Sequence, residues 1–237
     1  MLDGNWQKDY PHFLETGKVN LDEHQSLQKI IDLVGLKKNV VDFGCASGYL
    51  AEFLLEKDCS VTGIDINEKA VKLAQRFCRR VIVADLDHQP LSHLFNEEQL
   101  FDVAVFGDVL EHLRNPWTIL RETLGLLNSQ GYVIASIPNI AHGAIRLALL
   151  AGNFDYQQMG ILDNTHLRFF TYKSVIELFE TSGYTIESID RTLLSMFSNS
   201  SLLPSLDWDS IDPTLLKKLQ TDREIDTLQF IIKARPK

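Results

Sequence analysis

Three apolar runs in this chain end in aspartate: Val40-Val41-Asp42, Gly63-Ile64-Asp65 and Val83-Ala84-Asp85. After the first comes a loop of small residues, Gly44-Cys45-Ala46-Ser47-Gly48, and then a helical pattern from Tyr49. Small residues let a backbone approach a ligand closely, and the first turn of the following helix offers unpaired N–H groups to an anion. Asp65 lies about 20 residues beyond Gly44, where an acid at the end of a second strand can accept from two ribose hydroxyls. Asp85, one strand later, can accept from an exocyclic amine, and Ile66 and Leu86 just beyond can sandwich a purine. Together they describe a site for a nucleoside-type ligand that carries hydroxyls, an amine and a positive charge. Any one of these aspartates taken singly reads as a turn or cap residue. The dinucleotide fingerprint Gly-x-Gly-x-x-Gly is not met, since its three positions hold Gly44, Ala46 and Tyr49.

A second run, Phe106-Gly107-Asp108-Val109-Leu110-Glu111-His112, follows another apolar stretch. If the turn is helical, Asp108, Glu111 and His112 share a face, and an Asp, a Glu and a His there suit a divalent cation such as Mg. The plainer alternative is a helix start with acids near its positive end. Two further segments concentrate polar chemistry: Ile140-Ala141-His142, and Leu162-Asp163-Asn164-Thr165-His166-Leu167-Arg168-Phe169-Phe170.

The elements that must position these groups are legible from periodicity. Leu27, Ile30, Ile31 and Val34 fall at helical spacing within 22–34, the helical part of an N-terminal leader over 1–36. Strands are predicted at 39–43, 60–65, 80–85, 101–107, 131–137, 184–190 and 227–234. Helices are predicted at 47–57, 67–78 (capped by Asn67), 109–127 (interrupted at Asn115-Pro116) and 173–182. Short alternation of strand and helix predicts a parallel sheet with right-handed crossovers. The rhythm breaks at 139–171 and 193–213, read as insertions on the substrate side of a single domain over 1–237. Trp6, Tyr10 and Phe13 can fold over the cofactor cleft or contact a core or partner.

With 237 residues, 45% hydrophobic, and a formal net charge of −9, the chain suits one α/β domain. The acidic balance and scattered basic pairs argue against a nucleic-acid partner. Three cysteines without metal-ligand spacing, no signal-like N-terminus and no stretch long enough to cross a bilayer fit a cytoplasmic protein. A homodimer is compatible with this reading.

On these residues the chain, over about 39–236, resembles the class I S-adenosylmethionine-dependent methyltransferases. The resemblance implies an α/β Rossmann-like three-layer sandwich. Its seven-stranded, mostly parallel sheet would have one antiparallel strand, supplied by 227–234, and a capping insertion after the fifth strand. It implies S-adenosylmethionine as cofactor, held by Asp42, Gly44, Cys45, Ala46, Gly48, Asp65, Ile66, Asp85, Leu86 and Asp108. Ala46 departs from the glycine more usual there. The Asp108-x-x-Glu111-His112 run is similar to the Glu-x-x-Glu-His metal motif of ubiquinone-pathway O-methyltransferases and of small-RNA 2′-O-methyltransferases, with Asp for the first Glu. His166 completes that metal set. The 162–171 segment resembles one that O-methyltransferases of bacterial sugar and secondary metabolism place over the acceptor. Methyl transfer to a hydroxyl needs alignment, exclusion of water and removal of a proton. His166 is the first choice of base, His142 the second, with Asp163 to orient the imidazole. The expected function is methyl transfer to a small-molecule hydroxyl. The rivals are a catalytically silent scaffold or cofactor sensor, an RNA 2′-O-methyltransferase and a nicotinamide oxidoreductase.

Overall fold

The computed structural model describes residues 25–96 and 99–237. Trp6, Tyr10 and Phe13 therefore lie outside the described residues. In chain order the elements are α1 (Gln25–Val34), β1 (Asn39–Phe43), α2 (Tyr49–Leu55), β2 (Ser60–Asp65), α3 (Glu68–Ala74), β3 (Arg80–Val83), β4 (Phe101–Gly107), α4 (Pro116–Thr123), β5 (Leu127–Pro138), α5 (Gly143–Leu150), α6 (Tyr172–Thr181), β6 (Tyr184–Leu193), α7 (Pro213–Leu219) and β7 (Thr227–Pro236). The strands form one seven-stranded sheet in the order β3-β2-β1-β4-β5-β7-β6, with β7 antiparallel to both neighbours. Strand order reverses between β1 and β4, the place where open sheets of this kind bind ligands at their carboxyl ends.

Both faces of the sheet are covered, which is why its central strands are apolar almost throughout. Val40, Val61, Val103, Val105 and Ile134 point to one side, under α1, α2 and α3. Val41, Phe43, Ala104, Phe106 and Val133 point to the other, under α4 and α6. Phe43 and Phe106 stack at 4.5 Å across β1 and β4, fixing the two strands that flank the reversal.

The apolar face that periodicity gives the N-terminal helix packs on the sheet: Leu27, Ile30, Ile31 and Val34 are buried, and Tyr132 Oη donates to the Leu33 and Val34 carbonyls at 3.0 and 2.9 Å. The helix behind β4 is also shorter than periodicity suggests. It is broken into a 3-10 turn at Leu110–His112, α4, and a second 3-10 turn at Leu124–Leu126. Asn115 caps α4, with Pro116 at its first turn.

A third apolar cluster lies beyond the sheet. Ala144, Ile145 and Leu147 of α5 pack with Ile161, Leu162, Met196, Leu203 and Ile225. The two insertions thus share one small core, which the segment before β7 joins through Ile225 and through Arg146 Nη1 to Asp222 Oδ2 at 2.5 Å. Among the described residues no helix is long and apolar enough to cross a membrane.

Gly160 is the tightest joint in this cluster. Its φ is +92°, and an added Cβ would sit 2.4 Å from the Leu202 carbonyl oxygen. Gly160→Ala is therefore expected to destabilise the protein by about 2–3 kcal/mol, from left-handed strain plus a backbone clash with no flexible partner to yield. Urea unfolding measures this; a midpoint equal to that of the wild type would show that the 160s and 200s segments are not in contact.

Candidate active site

The loop after β1 is built around three left-handed residues: Gly44 at φ 73°, Ala46 at 47° and Gly48 at 84°. A Cβ on Gly44 would meet Val109 Cγ2 at 2.5 Å, so the loop lies directly against the turn after β4. Ala46 adopts a conformation costing roughly 1 kcal/mol for a residue with a Cβ, and its N–H is held by Asp65 Oδ2 at 2.8 Å. The other Asp65 oxygen accepts from Asn67 N at 2.8 Å. A carboxylate has about four acceptor positions, so both oxygens of Asp65 retain capacity for a ligand hydroxyl.

Asp42 is buried beneath this loop. Burial first, and the neighbouring Asp65 second, push its carboxyl up to about 8. Its surroundings supply a second carboxylate rather than a cation, which is the setting a positively charged ligand would relieve. Cys45 turns its side chain away from the loop surface. Its thiol packs over Gly63, where a Cβ would come within 2.7 Å, and burial raises its pKa far above the ordinary thiol range. Cys45 can serve a ligand only through its backbone. Ile66 is exposed and Leu86 is half-buried against the core. Asp85 pairs with His88 Nδ1 at 2.7 Å and accepts from Asp87 N at 2.9 Å.

The turn after β4 is a 3-10 turn, so Asp108 does not join Glu111 and His112 on one helical face. With φ 53°, its N–H donates to Ser136 Oγ at 2.9 Å, and its Oδ1 accepts from Gln229 Nε2 at 2.7 Å. Burial raises its pKa, and the Ser136 and Gln229 hydrogen bonds oppose that. The set that does assemble is Glu111, His112 and His166, whose ligand atoms lie within 4.8 Å of one another. His166 Nε2 stands 4.0 Å from Glu111 Oε1, and the two imidazoles meet edge to face at 4.7 Å.

Glu111 is 1% exposed, and among the described residues neither of its carboxylate oxygens has a hydrogen-bond partner. Desolvation, then Asp108 and Asp163, hold its pKa well above the usual carboxylate range. A buried carboxylate in this state is costly unless something charged meets it. The loop bearing His166 is clasped to Glu111 through the backbone: Leu167 N and Arg168 N both donate to the Glu111 carbonyl at 2.9 Å.

Two sequence assignments need correction. His142 is no base. It is buried at the N-terminus of α5, where Nδ1 accepts from Ala144 N at 3.2 Å and Nε2 donates to the Leu194 carbonyl at 2.8 Å. Burial lowers its pKa, as suits a neutral cap. The orienting group for the His166 imidazole is not the Asp163 carboxylate but the Ile161 carbonyl, 3.0 Å from Nδ1. Asp163 Oδ1 accepts from Thr165 N and Oγ1 at 2.8 and 2.6 Å. Thr165 was legible only as part of the polar 162–170 segment, with no role of its own, and Gln229, on the antiparallel strand, has no local signal.

The fold and this loop define a class. A model of the methyltransferase domain family matches residues 14–189. Two solved structures share the architecture: a S-adenosylmethionine-dependent methyltransferase from Archaeoglobus fulgidus (TM-score 0.63, 17% identity, 95% of this chain and 99% of that one); and magnesium protoporphyrin IX methyltransferase from Synechocystis PCC 6803 with bound S-adenosylhomocysteine (TM-score 0.62, 16% identity, 96% and 93%). The chain belongs to the methyltransferase domain family and has the class I S-adenosylmethionine-dependent methyltransferase fold. Among curated proteins it is similar to a ubiquinone biosynthesis O-methyltransferase of Paracidovorax citrulli, 29% identical over 120 residues, 49% of this chain and 50% of that protein. Its similarity to the Aeromonas salmonicida protein of the same name is 23% over 165 residues, 68% of this chain and 69% of that protein. The match to the first of these spans about half that protein's length.

Proposed function

We propose that this chain transfers the methyl group of S-adenosylmethionine to a hydroxyl oxygen of a small molecule. The observation that carries the reading is the Glu111–His112–His166 cluster, with Glu111 and His166 buried, which starts two residues beyond Val109, the residue packed against Gly44. It supports an oxygen acceptor because a hydroxyl must lose a proton, and these groups can assist that loss. The names of the curated relatives support oxygen as the accepting atom. Phe169, Phe154 and Tyr156 run edge to face outward from His166 at 6.2, 5.7 and 5.4 Å. That aromatic wall favours a secondary metabolite with an apolar ring over a sugar.

S-adenosylmethionine, when bound, supplies an electrophilic methyl on a positively charged sulfur. The chain's part is to hold and align. Asp65 would accept from the ribose hydroxyls, Asp42 would meet positive charge, and Asp85 would accept from the adenine amine. The third cluster closes over the acceptor and keeps out water. Transfer of that methyl to a hydroxyl would leave the chain to take up the hydroxyl proton.

Glu111, His112 and His166 fit a divalent cation: one orphaned carboxylate and two imidazoles. Such an ion would acidify the acceptor hydroxyl. Two nitrogens and one carboxylate suit Zn, Mn, Fe or Co better than Mg, which prefers an oxygen shell. In metal-free turnover the lone pair of His166 Nε2 takes the proton instead.

Calorimetric titration with S-adenosylhomocysteine tests the cofactor assignment. Micromolar binding is expected. Because the free site holds Asp42 protonated up to about 8, and the ligand's ammonium favours the carboxylate, binding should release close to one proton per molecule below pH 8. Apparent affinity should rise as pH approaches 8. The same raised pKa makes the native state bind more protons than the unfolded state between the two pKa values, so stability of the free protein should fall as pH rises through that window. No binding to folded protein would overturn the cofactor assignment. Methyl transfer to phenolic acceptors, assayed after chelation and with Mn or Zn restored, separates the two proton routes. Lost and regained activity supports the ion; unchanged activity assigns the proton to His166.

A further inference from the structure

The two histidines of the cluster share a feature that neither fold nor catalysis alone requires. Each presents Nδ1 to an oxygen of the 161–165 loop. His166 Nδ1 lies 3.0 Å from the Ile161 carbonyl. His112 Nδ1 lies 3.1 Å from Thr165 Oγ1 and 3.3 Å from the Thr165 carbonyl. A carbonyl only accepts, so both Nδ1 atoms carry the proton. The Thr165 hydroxyl has one hydrogen, and the short 2.6 Å contact to Asp163 Oδ1 takes it. Thr165 Oγ1 is thereby left as an acceptor toward His112. Both imidazoles are fixed as the tautomer with its lone pair on Nε2, the nitrogen on the Glu111 side in His166.

We propose that Thr165, locked by Asp163, is a positioning residue for a divalent cation held by Glu111, His112 and His166. The inference rests on the metal-dependent reading of the site. Asp163 orders the hydroxyl; the hydroxyl and its own carbonyl hold the His112 ring in the tautomer whose lone pair is on Nε2. Ile161 does the same for His166 from four residues earlier in the loop. One short segment, Ile161–His166, thus contributes a ligand and the outer partners of two imidazoles. Its backbone is anchored on the third ligand, because Leu167 N and Arg168 N bond to the Glu111 carbonyl. Binding by any one residue is coupled to the order of the whole segment. Outer partners of this kind are typically worth 10–100-fold in metal affinity.

The test is titration of metal-stripped full-length protein with Co(II), followed by its visible absorption and by calorimetry, with no turnover involved. Wild type, Thr165→Val, Thr165→Ser and Asp163→Asn are compared, each first checked for an unchanged melting temperature. The wild type should bind one equivalent. Thr165→Val should bind about 10-fold or more weakly with an altered absorption band, and Thr165→Ser should restore both. Asp163→Asn, which can no longer lock the hydroxyl as a carboxylate does, should fall between. Should Thr165→Val bind Co(II) as the wild type does, with the same band, Thr165 has no positioning role although the metal site stands. Should the wild type itself bind none, the metal reading fails and this assignment with it. If Thr165→Val melts early, the Asp163→Asn and Thr165→Ser pair decides: equal affinities in both and in the wild type overturn the proposal.

Discussion

Asp65→Ala is expected to weaken S-adenosylhomocysteine binding by at least about a hundredfold. Two effects combine. On the proposed reading the carboxylate accepts from two ligand hydroxyls, and hydrogen bonds to a charged group are worth about 1.5–3 kcal/mol each. A total of roughly 3 kcal/mol or more corresponds to two decades in affinity. The same side chain also holds Ala46 N and Asn67 N. Without it, Ala46 loses the partner that keeps it in a left-handed conformation, and the loop between β1 and α2 is released toward ordinary backbone geometry. Asp65→Asn keeps the shape and one acceptor oxygen, so its loss should be smaller. Calorimetry with circular dichroism as the control for folding measures both. Binding by Asp65→Ala within about fivefold of the wild type would remove Asp65 from the cofactor site.

His166→Ala is expected to lower turnover by at least about a hundredfold with S-adenosylhomocysteine affinity unchanged. Proton-transfer groups contribute about 10²–10⁴, and the loss of a ligand from a three-residue metal set is of similar consequence. The effect should lie in kcat, because His166 belongs to the acceptor side and not to the loop after β1. His142→Ala supplies the contrast. It removes the cap of α5 and should cost about 1–2 kcal/mol of stability, while turnover per folded molecule remains within a few fold. Near-normal turnover in His166→Ala, measured under saturating cofactor, would take the cluster out of the reaction. Comparable losses in both variants would mean that the insertion matters only as structure.

Much of the sheet and of the loop proposed to hold the cofactor was legible in the chain itself. β1, β2 and β4 have the bounds that apolar periodicity predicts, and Asp42 and Asp65 fall at the carboxyl ends of β1 and β2, while β3 stops at Val83, two residues short of Asp85. The reason is local: in a parallel sheet covered on both faces, strands are nearly unbroken apolar runs, and the first polar residue marks the ligand end. The acceptor side was less legible. Glu111 and His112 were visible as a pair, but helical periodicity tied them to Asp108. Whether a four-residue turn closes as α or 3-10 depends on what it packs against, here the backbone of residues 167 and 168.

What the sequence determined by itself was the strand and helix alternation, the small-residue loop and the three carboxylates, because each is written in neighbouring residues. Tertiary structure decided how the histidines were used. His142 and His166 look alike in sequence, each beside apolar residues in an insertion. Folding buries the first as a cap, with Ala144 N and the Leu194 carbonyl on its two nitrogens. It carries the second more than 50 residues along the chain to Glu111 and His112. A ring nitrogen's role is set by the hydrogen bond made at the other nitrogen, and those partners come from segments that only the fold brings together.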